Sequence, residues 1–366
     1  MRVALISPYA LSAYGGVQEQ TLAMSRELSR RGHEVLVVAP DGRDRITCET
    51  PAAVERFGRV IKLPANGTRA PLTLSPLATR RAWFAVNHFA PDVVHFHEPF
   101  APLIGWGVLR THHFASVATF HRSGDGPALR LTKPLLRRLA NDLDATAAVS
   151  RSAAATISAA CGVTPTVLFN GFEMDRFTTT PRERGGETLL VSVGRLEERK
   201  GVEHAIRAVR AHNARGARTW RLVIVGDGPQ RGALETLAAH DGQVTFTGAV
   251  SDEEKRAWLR RASALIAPAL RGESFGLVLL EAMASETVVV ASDITGYREA
   301  SGGHATLFEP GDDLGLERAV EEAMASEGEV RIAAARAHAA KWSMASLMDA
   351  YEGLYAVARE RFESDL

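Results

Sequence analysis

The stretch VALISPYALSAYGGVQEQTLAMSRELSRRGHEVLVV, Val3 to Val38, decides the fold. It opens on the apolar run Val3–Ile6, passes the pair Gly15-Gly16, and enters a segment of helical length, Gln18–Arg31, where Met24 and Leu28 recur one turn apart. Gly32 stands where a glycine ends a helix, and Val35–Val38 is a second apolar run. Neither run alternates with polar residues, so each reads as a strand buried on both faces, the habit of parallel sheets. Strand, helix and strand in that order make an α/β unit.

The same pattern continues outward. Val93–Phe96, Val117–Phe120, Ala145–Val149 and Val167–Phe169 precede Asn170-Gly171. Leu189–Val193, Leu222–Val225, Val244–Thr247, Ala264–Ala267 and Val288–Ala291 follow the linker-like stretch Pro181–Glu187. This predicts two doubly wound, Rossmann-like domains, residues 1–170 and 171–345, facing each other across a cleft. The helical tail Ser343–Phe362 is too long for a simple cap, and its last part, about 346–366, is expected to pack back on the first domain.

The 366 residues are 46% hydrophobic, enough for two cores. Their 43 Lys and Arg balance 43 Asp and Glu, which argues against a nucleic-acid partner, since polyanion binding draws on a basic excess. The balance is uneven along the chain: residues 1–170 carry 19 basic and 12 acidic side chains, residues 171–366 carry 24 and 31. Cys48 and Cys161 are too few for a disulfide framework or a thiolate zinc site. No run approaches the roughly 18 apolar residues of a membrane span. The expectation is a cytoplasmic monomer whose membrane contact, where there is any, is peripheral on the inner face of the cell membrane.

Several short patterns carry little chemistry. Gly226-Asp227-Gly228 after a strand suggests a dinucleotide fingerprint, but the third glycine falls on Arg231, so it reads as a turn and a nicotinamide dehydrogenase is excluded. Asp142-Leu143-Asp144 reads as a solvated helix end. His95, His97, His112, His113 and His121 lack a partnering carboxylate pattern beyond Glu98 and read as core or hydrogen-bonding histidines, with no metal implied.

Two constellations matter more. Gly194-Arg195 ends a strand and Arg199-Lys200-Gly201 opens a helix, which places cations where a diphosphate leaving group would be clamped. Arg271-Gly272-Glu273-Ser274-Phe275-Gly276 leads into the helix Leu277–Ala284, so one carboxylate, Glu273, precedes free backbone N–H groups and another, Glu281, lies about two turns along. A carboxylate with two acceptor oxygens suits a vicinal diol, on a sugar or a ribose.

Taken together, Gly15-Gly16-Val17-Gln18, Val191–Arg195 with Arg199-Lys200-Gly201, Val225–Pro229 and Gly272–Gly276 through Glu281–Ala284 resemble retaining glycosyltransferase family 4, with the GT-B two-domain fold. Pro8-Tyr9, His95-x-His97-Glu98-Pro99, Ala118–His121 and Asn66-Gly67 make the chain most similar, within that family, to the actinobacterial phosphatidyl-myo-inositol mannosyltransferases. The resemblance implies transfer of mannose from GDP-mannose to a phosphatidyl-myo-inositol-type lipid, with no obligatory cofactor or divalent metal. It implies that Arg195 and Lys200 neutralise the diphosphate, that Glu273 holds the sugar with the backbone of Phe275, Gly276 and Leu277, and that Glu281 holds the ribose. Gly16 would approach the phosphates, His121 would line the reaction centre, and Val250, Asp252 and Lys255 would lie near the base. Tyr9, Gln18, Asn66, Thr68 and Arg69 are the implied acceptor contacts. Phe100, Arg122 and Gly126 depart from the lipid-enzyme pattern. A UDP-sugar, a soluble acceptor such as an inositol phosphate or a glycan, and a nucleotide-sugar 2-epimerase remain alternatives. For a membrane surface the candidates are Leu77–Phe89, with Arg80, Arg81, Trp83, Phe84 and Phe89, and Leu129–Leu139, with Arg130, Lys133, Arg137 and Arg138.

Overall fold

A computed structural model describes the chain except residues 13–14, 43–49, 66–67, 102–103, 110–112, 122–126, 178–187, 217–218, 239–240, 274, 327 and 365–366; for 62–65, 68–70 and 127–131 it describes the backbone path. Cys48, Asn66, Gly67, His112, Arg122, Gly126, Ser274 and the linker stretch Pro181–Glu187 therefore lie outside the described residues. The chain divides into two compact units, Met1–Gly171 with Met344–Leu366, and Phe172–Ser343.

The first unit holds β1 (Arg2–Ile6), α1 (Gly16–Arg30), β2 (Glu34–Asp41), β3 (Ala53–Arg59), β4 (Ile61–Ala65), β5 (Thr68–Leu72), α2 (Pro76–Phe89), β6 (Val93–His97), α3 (Ile104–Leu109), β7 (Ala115–Phe120), α4 (Pro127–Asn141), β8 (Ala145–Ala148), α5 (Arg151–Cys161) and β9 (Thr166–Val167). Seven strands form one sheet in the order β3-β2-β1-β6-β7-β8-β9, all parallel, and β4 and β5 form a separate antiparallel hairpin. Successive residues of a strand supply opposite cores, as a strand buried on both faces must: Val3 and Leu5 join one cluster, Ala4 and Ile6 the other. The helix α1 stops as the sequence suggests, with Gly32 at φ 81 and its N–H bonded to the Ser29 carbonyl.

The second unit holds β10 (Thr188–Val193), α6 (Val202–Ala214), β11 (Trp220–Val225), α7 (Arg231–Ala238), β12 (Val244–Gly248), α8 (Asp252–Arg261), β13 (Ala264–Ala267), α9 (Leu277–Ala284), β14 (Val288–Ser292), α10 (Thr295–Ser301), β15 (Thr306–Phe308), α11 (Asp313–Ala325) and α12 (Glu329–Ala340). Its sheet, β12-β11-β10-β13-β14-β15, is again all parallel, and its strand order reverses at β10. Gly226 (φ 138) turns the chain after β11: a Cβ there would stand 1.9 Å from the Gly194 carbonyl oxygen, so the glycine serves close packing of two strand ends.

Ten of the eleven apolar runs are strands, and of Val167–Phe169 only Val167 is, at the end of β9. The sequence reading missed β3, the β4–β5 hairpin and β15, whose sequences hold no continuous apolar run of four residues or more. β3 is an edge strand with Glu55, Arg56 and Arg59 exposed, and β15 is three residues long. The last helix, α13 (Met344–Ser364), packs on the first unit, where Met344, Leu347, Met348, Tyr351, Tyr355 and Ala358 join the same cluster as Val3 and Leu5. Its two tyrosines meet a buried polar line. Tyr355 Oη lies 2.8 Å from His95 Nδ1, His95 Nε2 lies 2.7 Å from Thr119 Oγ1, and Thr119 Oγ1 lies 2.8 Å from Tyr351 Oη. Asp142-Leu143-Asp144, read from sequence as a solvated helix end, is partly buried and serves structure, because Asp144 Oδ2 accepts from the Ser116 N–H and hydroxyl at 2.6 and 2.7 Å.

His95, His97 and His121 are held neutral by burial, His95 and His121 down to about 3 and His97 well below its usual value. The unfolded chain takes up protons on these side chains below about pH 6.5 and the folded chain does not, so stability falls as pH falls. Each histidine should contribute up to roughly 1 kcal/mol per pH unit in that window. Urea midpoints at pH 7.5, 6.5 and 5.5 check this, and equal midpoints would show that these rings are not buried in the neutral form.

Candidate active site

Parallel strands all release their chain at the same edge, and Tyr9, His121, Arg195 and Glu273 each follow the carboxyl end of a strand. In the second unit, Arg195 follows β10, and Arg199 and Lys200 close a single 3-10 turn, Glu198–Lys200. The loop after β13 is drawn against this turn. Gly201 sits at φ 60 with a would-be Cβ 2.2 Å from the Pro268 carbonyl oxygen, and the Leu270 N–H donates to the Arg199 carbonyl at 2.8 Å. That contact carries Glu273 to the cations: its Oε1 is shared by Lys200 Nζ at 2.8 Å and by the Arg199 guanidinium, while Arg199 also donates to the Gly272 carbonyl. Glu273 and Glu197 hold Arg199 firmly cationic against the cost of its partial burial.

The sequence reading missed Glu197. This carboxylate takes Arg195 Nε at 3.1 Å and Arg199 Nε at 2.9 Å, so Arg195, half-exposed, points to Glu197 and not to Glu273. Arg199, which the resemblance did not single out, is the cation joining the two carboxylates. The signal available in sequence was the run of two acidic and two basic residues, Glu197-Glu198-Arg199-Lys200, which on its own reads as a solvated loop.

The helix α9 begins at Leu277 with Gly276 as its N-cap at φ 104 and no side-chain cap, which leaves first-turn N–H groups without intrahelical partners. Gly276 is required by its left-handed backbone and by Tyr297, whose ring carbon would lie 2.6 Å from a Cβ. Phe275 is buried against Trp342, ring centroids 4.8 Å apart, so its side chain anchors the loop. Glu281 sits in the second turn of α9, nearer the helix start than the two turns expected from the sequence, because the helix opens at Leu277. Its Oε1 meets Lys255 Nζ at 3.0 Å, and Lys255 also meets Asp252 Oδ1 at 3.4 Å. Asp252, Lys255 and Glu281 thus form a second cluster, with Val250 half-buried in the loop leading to α8.

In the first unit, Gly15 caps α1 without a side-chain bond and Gly16 is its exposed first residue. Neither needs a positive φ. A Cβ on Gly15 would strike the buried Gln18 side chain at 2.5 Å, whereas one on Gly16 meets no described atom within 4 Å. Gln18 is therefore packed beneath the glycine turn. Tyr9 lies in the loop after β1, where its N–H and carbonyl both engage the Ser7 hydroxyl. Thr68 and Arg69 lie on β5. His121 follows β7, 3.0 Å from His97 Nδ1 through its Nε2, and its backbone N–H donates to the Glu98 carboxylate. Glu98 itself adopts φ 47, the kind of backbone strain that collects at functional sites.

Among the described residues, the group with metal-ligand spacing is His212, Glu317 and Glu321, far along α6 and α11, and Arg215 already neutralises Glu317 there. The histidines around His95 are instead joined to one another and to hydroxyls. Two aromatics expected at the surface of α2 are corrected: Trp83 and Phe89 pack on the core, and Phe84 is exposed with Leu77. The amphipathic period points those two rings inward once Ala82 and Val86 are buried. Phe100 likewise packs on Phe120, centroids 5.1 Å apart.

The model of Glycosyltransferase Family 4 matches residues 14–176, and that of Glycosyl transferases group 1 matches residues 187–326. A phosphatidyl-myo-inositol mannosyltransferase of Propionibacterium freudenreichii subsp. shermanii is 33% identical over 383 residues, covering 99% of this chain and 96% of that one. Its counterpart in Mycolicibacterium smegmatis is 34% identical, covering 96% and 94%. Among solved structures, a glycosyltransferase from Rickettsia africae superposes with a TM-score of 0.73 at 15% identity, covering 98% of both chains, and Anabaena Alr3699/HepE in complex with UDP and glucose with 0.70 at 18%, covering 97% and 100%. Those structures share the fold, and the sequence relatives and family models decide the family: the chain belongs to glycosyltransferase family 4 and is a glycosyltransferase of the GT-B fold.

Proposed function

We propose that the protein is a retaining mannosyltransferase that moves mannose from GDP-mannose to a phosphatidyl-myo-inositol-type lipid. The observation that carries the chemistry is the sharing of one carboxylate oxygen, Glu273 Oε1, between Arg199 and Lys200. Two cations on one anion leave positive charge in excess, and an arriving diphosphate supplies the missing negative charge without further desolvation of the pair. Lys200 and Arg199 then stabilise the charge that develops on the leaving diphosphate, with Arg195 swinging from its exposed pairing with Glu197. Glu273, released from its cations, accepts hydrogen bonds from the sugar hydroxyls, with the uncapped N–H groups at Gly276 and Leu277 beside it. Glu281 accepts from the ribose hydroxyls, and Asp252, Lys255 and the Val250 loop border the base. Gly16 brings bare backbone close to the phosphates at the start of α1.

Mannose and the lipid are carried by the names of the relatives at 33% and 34% identity, which span nearly the whole chain. Tyr9, Gln18, Asn66, Thr68 and Arg69 are the proposed acceptor contacts. One observation favours a second reading on the acceptor side: Phe100 is committed to packing on Phe120 where the lipid enzymes have a polar residue, which suits a different or soluble acceptor.

Incubation with GDP-mannose, UDP-glucose and UDP-N-acetylglucosamine, each with and without phosphatidylinositol, separates these readings. GDP release from GDP-mannose that rises with the lipid is expected; turnover indifferent to acceptor would instead indicate epimerisation or hydrolysis. Lys200→Ala and Glu273→Gln should each lower turnover at least about tenfold, about 1.4 kcal/mol or more of transition-state stabilisation. Rates near wild type in both would remove the donor-site assignment.

No helix among the described residues is long and apolar enough to cross a membrane. We propose a peripheral contact through α2, where Leu77 is 58% and Phe84 52% exposed and Arg80 lies over the Phe84 ring at 5.6 Å. Basic side chains at an anionic leaflet add about 1 kcal/mol each, so binding should be weak and salt-sensitive. Co-sedimentation with liposomes should require anionic lipid, weaken with salt and drop in the double variant Leu77→Ser, Phe84→Ser; equal recovery with neutral and anionic vesicles would contradict it.

A further inference from the structure

The proton arrangement of the histidines at the carboxyl edge of the first sheet is fixed by one buried, unpaired atom. His97 ends β6, is 1% exposed, and stacks on His95 with centroids 4.8 Å apart and planes 17° from parallel. His95 is immobilised in turn by Thr119 and by Tyr355 of α13. Of the two ring nitrogens of His97, Nδ1 lies 3.0 Å from His121 Nε2, and Nε2 is buried with no hydrogen-bond partner among the described residues. The other nitrogen of His121, Nδ1, meets no described group, and the residue is half-buried, at the site edge.

Burial keeps both imidazoles neutral, so each ring carries one proton and one of the two donates to the other. Were His121 the donor, His97 would have to keep its proton on Nε2, placing an N–H in the core with nothing to accept it. Were His97 the donor, its Nε2 would be a bare lone pair. Orphaned buried donors are the rarer and costlier case.

We infer that His97 is a positioning residue that donates its Nδ1–H to Nε2 of His121 and so fixes His121 with its proton on Nδ1, presenting a hydrogen-bond donor at the reaction centre. His121 in this form offers an N–H to an oxygen of the nucleotide sugar, whether a sugar hydroxyl or a phosphate, and has no free lone pair with which to take the acceptor's proton. The identity of that oxygen rests on the proposed transferase reading; the tautomer does not.

Long-range 1H–15N correlation spectra of enzyme labelled with 15N-histidine, with His121 assigned from the His121→Gln spectrum, read the tautomer directly. The expected pattern is an unprotonated Nε2 and a protonated Nδ1 for His121. The reverse pattern, or both nitrogens protonated at neutral pH, overturns the inference. In turnover, His97→Leu should release the tautomer and lower kcat about tenfold with a much smaller change in the KM for donor, and His97→Asn, which restores a donor at the Nδ1 position, should recover most of the loss. Retention of both the tautomer and kcat in His97→Leu would also overturn it. A wild-type enzyme that transfers no sugar would bring down the proposed function and leave the spectroscopic result standing.

Discussion

A parallel strand can be followed by its neighbour only after the chain has crossed back over the sheet, so every strand of a parallel sheet ends at the same edge. The chemistry of this protein follows from that constraint. With both faces of each sheet covered by helices, backbone and side chains that must meet a polar ligand have one place to emerge, the carboxyl edge. Tyr9 and the Gly15-Gly16 turn follow β1, Glu98 follows β6, and His121 follows β7. Arg195 follows β10, Asp252 follows β12, and Glu273 follows β13.

Electrostatics then divides the second unit's edge into two parts of different character. Around Glu273 and Glu197, three cations share two carboxylates, an arrangement with positive charge to spare. Around Lys255, which meets Asp252 and Glu281, Arg176 also reaches Asp252 while it is held by Glu173, so two cations serve three carboxylates and acceptor oxygens are in excess. An anionic diphosphate and a hydroxyl-rich ribose make opposite demands, and α9, which starts beside Glu273 and carries Glu281, spans both. Glycines are placed where that convergence leaves no room for a side chain, at Gly201 against Pro268 and at Gly276 against Tyr297.

Much of this was legible along the chain. The strands announced themselves because burial on both faces demands uninterrupted apolar runs, and the turn nature of Gly226-Asp227-Gly228 followed from a displaced glycine. The edge elements did not: β3 keeps Glu55, Arg56 and Arg59 in solvent, so its sequence carries no burial signal. Glu197 and the partner of Arg199 were equally hidden, since a charged loop looks the same whether its partner is water or a carboxylate 74 residues away.

What the sequence by itself determined is whatever depends on near neighbours: the alternation of strands and helices, the glycine that stops α1, and the identity of the groups at each strand end. Tertiary structure alone decided which groups meet. The sharing of Glu273 by Arg199 and Lys200, the docking of Tyr351 and Tyr355 onto His95 and Thr119, and the bond between His97 and His121 all join residues distant in sequence. Periodicity records how much of a segment is buried and on which side. It does not record the register and crossing of elements that bring two particular side chains within 3 Å.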